Sequence, residues 1–268
     1  MKIAYSPCPN DTFVFHAWSH GLLPAAPALD VTFADIDVTN SAAERGEFDV
    51  VKVSYAALPW LLDTHALLPS GGALGRGCGP LVLTREPMGS LDGRTVAVPS
   101  ERSTAYLLFR LWASGQRPAR IDVVPFTSIM PAVRDGAYDA GLVIHEARFT
   151  YPQFGLQALV DLGEWWERDT GLPIPLGAII ARRGLDLDAL AGAARRSVEY
   201  AWAHPQASAD YIAAHADEMS PDVQQQHIAL YVNEFTRELG DEGYAAVEAL
   251  LGRAHEEGLT PRNPSLRV

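Results

Sequence analysis

Gly46-Glu-Phe-Asp49-Val-Val-Lys52-Val-Ser54-Tyr55 and Gly136-Ala-Tyr-Asp139-Ala-Gly-Leu142-Val-Ile-His145 are two renderings of one phrase. Each runs helix stop, aromatic, Asp, apolar strand, then polar residues at the strand's end. Glycine stops a helix because it accepts the left-handed conformation there. In an open parallel sheet, ligands bind beyond the carboxyl ends of the strands. The echo therefore predicts an α/β protein of two similar lobes, each offering a strand end to a shared cleft. One lobe offers Lys52, Ser54 and Tyr55. The other offers His145.

Outward from the echo, the chain alternates strand and helix signals. Ile3 to Tyr5 reads as a buried strand, and Ser6-Pro7-Cys8-Pro9 as loop, since proline donates no amide hydrogen bond. Asn10 or Asp11 then caps a helix carrying Phe13, Val14, Ala17 and Trp18. Leu29 to Ile36 alternates like a strand. Asn40 and Ser41 start a short helix that stops at Gly46. Tyr55 to Leu62 reads as a helix, and Ser70 to Gly79, the most glycine-dense stretch, as a loop. Strands follow at 81–84, 95–98, 122–125, 139–144, 159–162 and 176–181. Helices are expected from Ser103 or Thr104 to Ala113 and over 128–134. Beyond Asp186 the pattern is helical, over 190–202, 207–216, 223–235 and 244–254. These helices have no long linker and are expected to return to the first lobe. The division is 1–84 for the first part of lobe 1, 85–177 for lobe 2, and 178–268 for the return and the C-terminal helices.

The 268 residues suffice for one large domain or two ordinary lobes, and the 48% apolar content is that of a globular protein. A formal charge of −12 without any Lys/Arg run argues against a nucleic-acid partner. No apolar run approaches the ~20 residues of a membrane span. The N-terminus starts a strand at once and lacks the apolar core of a secretory signal, so the expected location is cytoplasmic. Cys8 and Cys78 are the only cysteines. They form no CxxC and are read as reduced thiols of a cytosolic protein.

Several side chains have two readings. His145, past an apolar strand, suits a general base, because imidazole titrates near neutrality; it also suits a structural strand-end hydrogen bond. Ser103-Thr104-Ala105, and equally Asn10-Asp11-Thr12, open helices whose amides suit an anion or simply a cap. Lys52 within an apolar strand is either ion-paired or turned to the cleft as an anion contact. The Gly71–Gly79 stretch, Gly72 included, runs GGxxGxGxG and does not fit nucleotide use. It suits close backbone approach to a planar ligand, a flexible crossing between lobes, or a wide turn. Lys52, Arg76, Arg102 and Arg148 are candidates for a substrate carboxylate. His16 and His20 have i, i+4 spacing but no third ligand nearby, so no metal site is expected. Trp165-Trp166 suits aromatic stacking or core packing. No GxSxG is present.

Taken in order, these stretches resemble the 1,4-dihydroxy-6-naphthoate synthase family of the futalosine route to menaquinone. The likeness rests on Ser-Pro-Cys-Pro-Asn-Asp-Thr-Phe (6–13), Lys-Val-Ser-Tyr-Ala-Ala (52–57), Ser-Gly-Gly-Ala-Leu-Gly-Arg-Gly (70–77) and Ser-Thr-Ala (103–105). It continues through Ile-His-Glu-Ala-Arg-Phe-Thr-Tyr (144–151), Asp-Leu-Gly-Glu-Trp-Trp-Glu (161–167), Leu-Pro-Ile-Pro-Leu-Gly (172–177) and His-Ile-Ala-Leu-Tyr-Val-Asn (227–233). The resemblance implies a two-lobed type II periplasmic-binding-protein-like fold with a ligand cleft between the lobes. It implies a lyase that converts cyclic dehypoxanthinyl futalosine, a small-molecule carboxylate, to 1,4-dihydroxy-6-naphthoate with release of a three-carbon fragment derived from the ribose. It implies no metal and no organic cofactor. The family's proposed base falls on His145. Its substrate contacts fall on Lys52, Val53 and Ser54, and on Ser103, Thr104 and Ala105. Asn40 follows Thr39 where the family often has leucine. Asn10, Gly72 and Arg76 complete the expected site. The alternatives are a binding protein of the same fold that does no chemistry, and a chorismate dehydratase of the same pathway.

Overall fold

The computed structural model describes residues 1–216 and 220–267. Its first elements are β1 (Lys2–Tyr5), α1 (Pro9–Ser19), β2 (Asp30–Phe33), α2 (Ile36–Glu44), β3 (Val50–Ser54), α3 (Leu58–Leu61) and β4 (His65–Gly75). Next come β5 (Leu81–Thr84), β6 (Thr95–Val98), α4 (Thr104–Trp112), β7 (Arg120–Val123), α5 (Phe126–Arg134), β8 (Ala140–Val143), α6 (Ala147–Thr150), β9 (Gln157–Asp161) and α7 (Leu162–Thr170). The chain ends with β10 (Ile174–Arg182), α8 (Leu187–Ala203), α9 (Ala209–His215), α10 (Pro221–Tyr231), α11 (Glu234–Arg237) and α12 (Gly240–Glu256). Two compact units result, Met1–Gly75 with Pro175–Val268, and Arg76–Ile174.

Each unit holds a five-stranded mixed sheet, ordered β2-β1-β3-β10-β4 in the first and β7-β6-β8-β5-β9 in the second. In the first, β1 runs parallel to β2 and β3, and β10 runs antiparallel to β3. In the second, β6 runs parallel to β7 and β8, and β5 runs antiparallel to β8. The two echo strands, β3 and β8, thus hold the same central place in their sheets. Strand order reverses beside them, between β1 and β3 and between β6 and β8. Such a switch point leaves a crevice beyond the strands' carboxyl ends.

The first unit's core gathers Ile3, Phe15, Trp18, Ile179 and Val198, with α8 closing over the sheet. The second unit's core gathers Leu83, Ile129, Val133 and Val143 under α5. Full burial of each such side chain contributes about 1.5–3 kcal/mol. Among the described residues no helix is long and apolar enough to cross a membrane.

Some boundaries differ from expectation for physical reasons. α1 starts at Pro9 with Cys8 as its N-cap residue. Proline suits that place, where its missing amide would be unpaired anyway, so Asn10 and Asp11 lie inside the first turn rather than capping it. α2 starts at Ile36, which places Asn40 in its middle and not at its start. The stretch 70–75 is not loop but the end of the eleven-residue β4. A Cβ on Gly72 would lie 2.8 Å from the Gly177 carbonyl oxygen, so the glycine serves strand packing. Residues 223–235 break into α10 and α11 because Asn233 forms a capping box with Thr236 and donates its amide to the Leu74 carbonyl at 3.0 Å.

Candidate functional site

Each unit brings its own set of expected residues to its switch point. In the first, β1 leads into α1 with Asn10 and Asp11, and β3 brings Lys52 and Ser54. Strand alternation puts the Lys52 and Ser54 side chains on one face and Val53 on the other. All of these are buried. The Lys52 ammonium is ion-paired with the Asp11 carboxylate, so of its two readings the paired one is observed. Asn10 donates its side-chain amide to the same Asp11 oxygen at 2.8 Å. The lysine stem lies against β10 at Gly177, where a Cβ would fall 2.8 Å from Lys52 Cε. Only glycine leaves that path open. Asn40 fixes the strand's end reciprocally: its oxygen accepts the Ser54 amide at 2.8 Å and its nitrogen donates to Ser54 Oγ at 3.2 Å.

In the second unit, β6 leads into α4 and β8 leads to His145. Ser103 is the N-cap of α4 and accepts the Tyr106 amide at 3.1 Å, which is the capping use of that serine. Thr104 and Ala105 are buried in the first turn. His145 is half-buried and adopts φ +54°. A non-glycine residue in the left-handed region costs about 1–2 kcal/mol, and such strain gathers at functional sites. Phe126 packs edge-on against the imidazole with ring centroids 5.9 Å apart.

The turn after His145 is tied down by Arg148. Its backbone amide donates to the His145 carbonyl at 3.3 Å. Its guanidinium donates to the Gly79 carbonyl at 2.8 Å and to Asp161 Oδ2 at 2.5 Å. The other Asp161 oxygen caps α7, accepting the amides of Gly163 at 2.8 Å and Glu164 at 3.2 Å. Gly79 and Gly163 touch so closely that a Cβ on Gly79 would lie 2.1 Å from the Gly163 nitrogen. Glu167 completes the arrangement by accepting the Gly77 amide at 2.6 Å. Arg148, one of four basic candidates for a carboxylate, is thus committed to an internal ion pair. Arg76 is exposed and lies 3.8 Å from Glu167, with a further hydrogen bond of 3.1 Å to the Gly171 carbonyl.

Other sequence candidates resolve plainly. Trp166 is fully buried and donates its indole N–H to the Pro173 carbonyl at 3.1 Å, the core-packing reading. Trp165 helps line a cavity of about 580 Å³ that runs along β9 past Arg148 and Arg168; His145 is not in its wall. Burial pushes the Cys78 thiol up to about 12, against the pull of Arg148, so it is no thiolate nucleophile near neutral pH. His20 Nδ1 bonds to the His16 carbonyl and Ser19 Oγ. No group of three His, Cys, Asp or Glu side chains suited to a metal ion occurs among the described residues. Gly177 and Asp161 are site-building residues that the sequence reading does not single out, whereas Asp11 and Arg148 are expected as a helix cap and an anion contact rather than as members of ion pairs. A lysine in an apolar strand does demand a carboxylate, but its partner lies 41 positions away and nothing local points to it.

Known proteins resemble this chain over nearly its whole length. A family model described as menaquinone biosynthesis matches residues 1–256. The 1,4-dihydroxy-6-naphtoate synthase of Streptomyces coelicolor is 67% identical over 97% of this chain and 95% of its own length. The enzyme of that name from Thermus thermophilus is 47% identical over 98% of this chain and 97% of its own. A crystal structure of an Archaeoglobus fulgidus protein superposes with a TM-score of 0.89 at 32% identity, covering 96% of this chain and 97% of that one. The periplasmic aliphatic sulphonate binding protein SsuA of Escherichia coli superposes with a TM-score of 0.70 at 15% identity, over 99% and 90% of the two chains. That likeness shows a periplasmic-binding-protein-like fold and nothing further. With its whole length matched by relatives of one description, the chain belongs to the menaquinone biosynthesis family.

Proposed function

We propose that this chain is a carbon–carbon lyase that converts cyclic dehypoxanthinyl futalosine to 1,4-dihydroxy-6-naphthoate in the cytoplasm, with His145 as general base. The observation that carries the reading is the half-buried imidazole held in a left-handed backbone just past β8, on the carboxyl side of a topological switch point. The names of the two enzyme relatives support the reaction. His145 takes a proton from the substrate. Bond cleavage follows, releases the three-carbon fragment and ends in an aromatic naphthoate. Aromatisation drives the step, so the protein's task is to orient the ligand and exclude water.

Lys52, Val53, Ser54, Asn10 and Asn40 of the first unit, and Ser103, Thr104 and Ala105 of the second, contact the substrate in this reading. Gly72 and Arg76 complete the set. Lys52 is ion-paired with Asp11, and an ammonium has three donors, so it can serve both Asp11 and a substrate anion. Val53, whose side chain faces the other side of β3, contributes its backbone.

The test is turnover by purified protein, with product identified by mass. His145→Ala should lower kcat by about 10²–10⁴-fold, the range of a lost general base. Wild-type turnover by that variant sinks the assignment of the base. Tight substrate binding without product points instead to a binding protein. Dehydration of chorismate in a parallel assay points to the other enzyme class.

A further inference from the structure

We propose that Arg148 and Asp161 are positioning residues for His145, a clasp that holds the strained turn on which the base is mounted. The inference rests on the reading of His145 as general base and extends it to two residues that need not touch the substrate. The backbone at His145 lies in a region that L side chains rarely adopt. Such a conformation persists only where its surroundings over-determine it. Three residues on, Arg148 supplies that determination. Its amide holds the His145 carbonyl, and its guanidinium reaches across to Gly79 and Asp161.

The far side of the clasp is itself rigid. Asp161 sits at the end of β9 and caps α7 with its second oxygen. The Gly79–Gly163 contact keeps the Gly79 carbonyl in guanidinium range. Both partners of the pair are largely buried, with side-chain exposures of 19% for Arg148 and 10% for Asp161. A fork of donors bound to two separate acceptors fixes orientation as well as distance, which a lysine's point charge does not do. The motifs around 145–148 and 161–167 are therefore two halves of one device.

The experiment is a kinetic cycle on the full-length protein with Arg148→Lys, Asp161→Asn and His145→Ala. Asparagine also caps helices, so Asp161→Asn keeps the α7 cap while weakening the clasp. Each clasp variant should lose about 10–100-fold in kcat, the scale set by small misplacement of a reacting group, while KM moves less than about threefold. In the His145→Ala background, with turnover rescued by added imidazole, Arg148→Lys should have no further effect, because a positioning residue acts only through the base it positions.

Three results overturn the inference. The first is wild-type kcat, within about twofold, in both clasp variants. The second is an equal loss from Arg148→Lys with and without His145. The third is failure of both variants to fold, which would make the pair a requirement of the whole unit rather than of the turn. If His145→Ala itself turns over at the wild-type rate, the proposed chemistry fails whatever the clasp does. If that variant is inactive and Arg148→Lys is not impaired, only the clasp fails.

Discussion

The chain builds the same strand twice and finishes it differently. Up to the strand, the two copies share a set of corresponding hydrogen bonds. Gly46 and Gly136 end their helices at φ +65° and +79°. The amides of Asp49 and Asp139 each donate to the first residue of the neighbouring parallel strand, Lys2 and Thr95, both at 3.0 Å. Each Asp carboxylate then accepts the amide of that same residue, at 2.8 Å from Lys2 and 2.9 Å from Thr95. Ile3 pairs with Val50 as Val96 pairs with Ala140. Past the strand the copies part. β3 ends in a buried, paired group of Lys52, Asp11, Asn40 and Ser54. β8 ends in a half-buried imidazole on strained backbone. A shared scaffold fixes where the tips lie, and only the tips differ in chemistry.

The largest expected effect comes from opening the closed tip. Lys52→Met leaves the Asp11 carboxylate buried without its cation, and breaking a buried pair on one side costs about 3–5 kcal/mol. Urea unfolding should show that loss. The double variant Asp11→Asn/Lys52→Met should recover most of the stability, since two neutral groups need no counter-charge, while turnover stays low. A Lys52→Met protein as stable as wild type would show that the pair is not closed in solution.

A smaller effect tests the matched halves of the echo. Asp139→Ala should cost about 1–2 kcal/mol and Asp49→Ala about 1 kcal/mol, the worth of hydrogen bonds to a charged acceptor discounted for exposure. Asp139 loses more because it also accepts from Thr95 Oγ1 at 3.0 Å. The Thr95 amide, followed by the Thr95 hydroxyl and Arg94, holds the Asp139 carboxyl below its usual range. Its contribution is therefore complete above about pH 4 and fades as pH falls through that lowered value. Equal unfolding midpoints for wild type and Asp139→Ala at pH 7 would remove the carboxylate from the scaffold.

How much of this was legible follows from the same split. The scaffold repeats a local pattern, so it can be read from 46–55 and 136–145 without knowing what surrounds them. The strand end and His145 follow from that reading. The partners do not. Asp11 lies far along the chain from Lys52, and its place in a helix's first turn gives it the look of a cap. Arg148 looks like an anion contact until Asp161 and Gly79 are folded against it. Gly72 looks like a loop or crossing signal and Gly177 like any residue of an expected strand, yet their missing side chains make room for a neighbouring strand and for a lysine stem. Periodicity reveals an element and the face it buries. It does not reveal which distant residue completes a buried polar group.

A modest gain is expected from relaxing the open tip. His145→Gly removes a side chain from a left-handed residue, and glycine adopts that conformation at no steric cost. The relieved strain exceeds the added freedom of the unfolded chain, so the variant should be about 0.5 kcal/mol more stable than wild type. It should also be as inactive as His145→Ala. That opposition of stability and activity is what a strained functional residue predicts. Loss of stability in His145→Gly would mean that the turn is not strained, and that the difference between the two tips is one of exposure alone.

The smallest effect separates the units by titration. His145 is the one histidine between residues 76 and 174, whereas the first unit carries three, His16, His65 and His227, in its interior. Burial, and then the neighbouring His20, lowers the pKa of His16. Burial likewise lowers that of His65, against a hydrogen bond that the ring donates to the Leu61 backbone carbonyl. His16 and His65 therefore take up protons more readily in the unfolded chain. Their contribution is whole above about pH 6.5 and drains away as pH falls below it. Thermal midpoints measured from pH 7 to pH 5 should decline, and the paired substitution His16→Gln/His65→Gln should flatten the decline. An unchanged slope would place the acid sensitivity elsewhere and leave the two units alike in their response to protons.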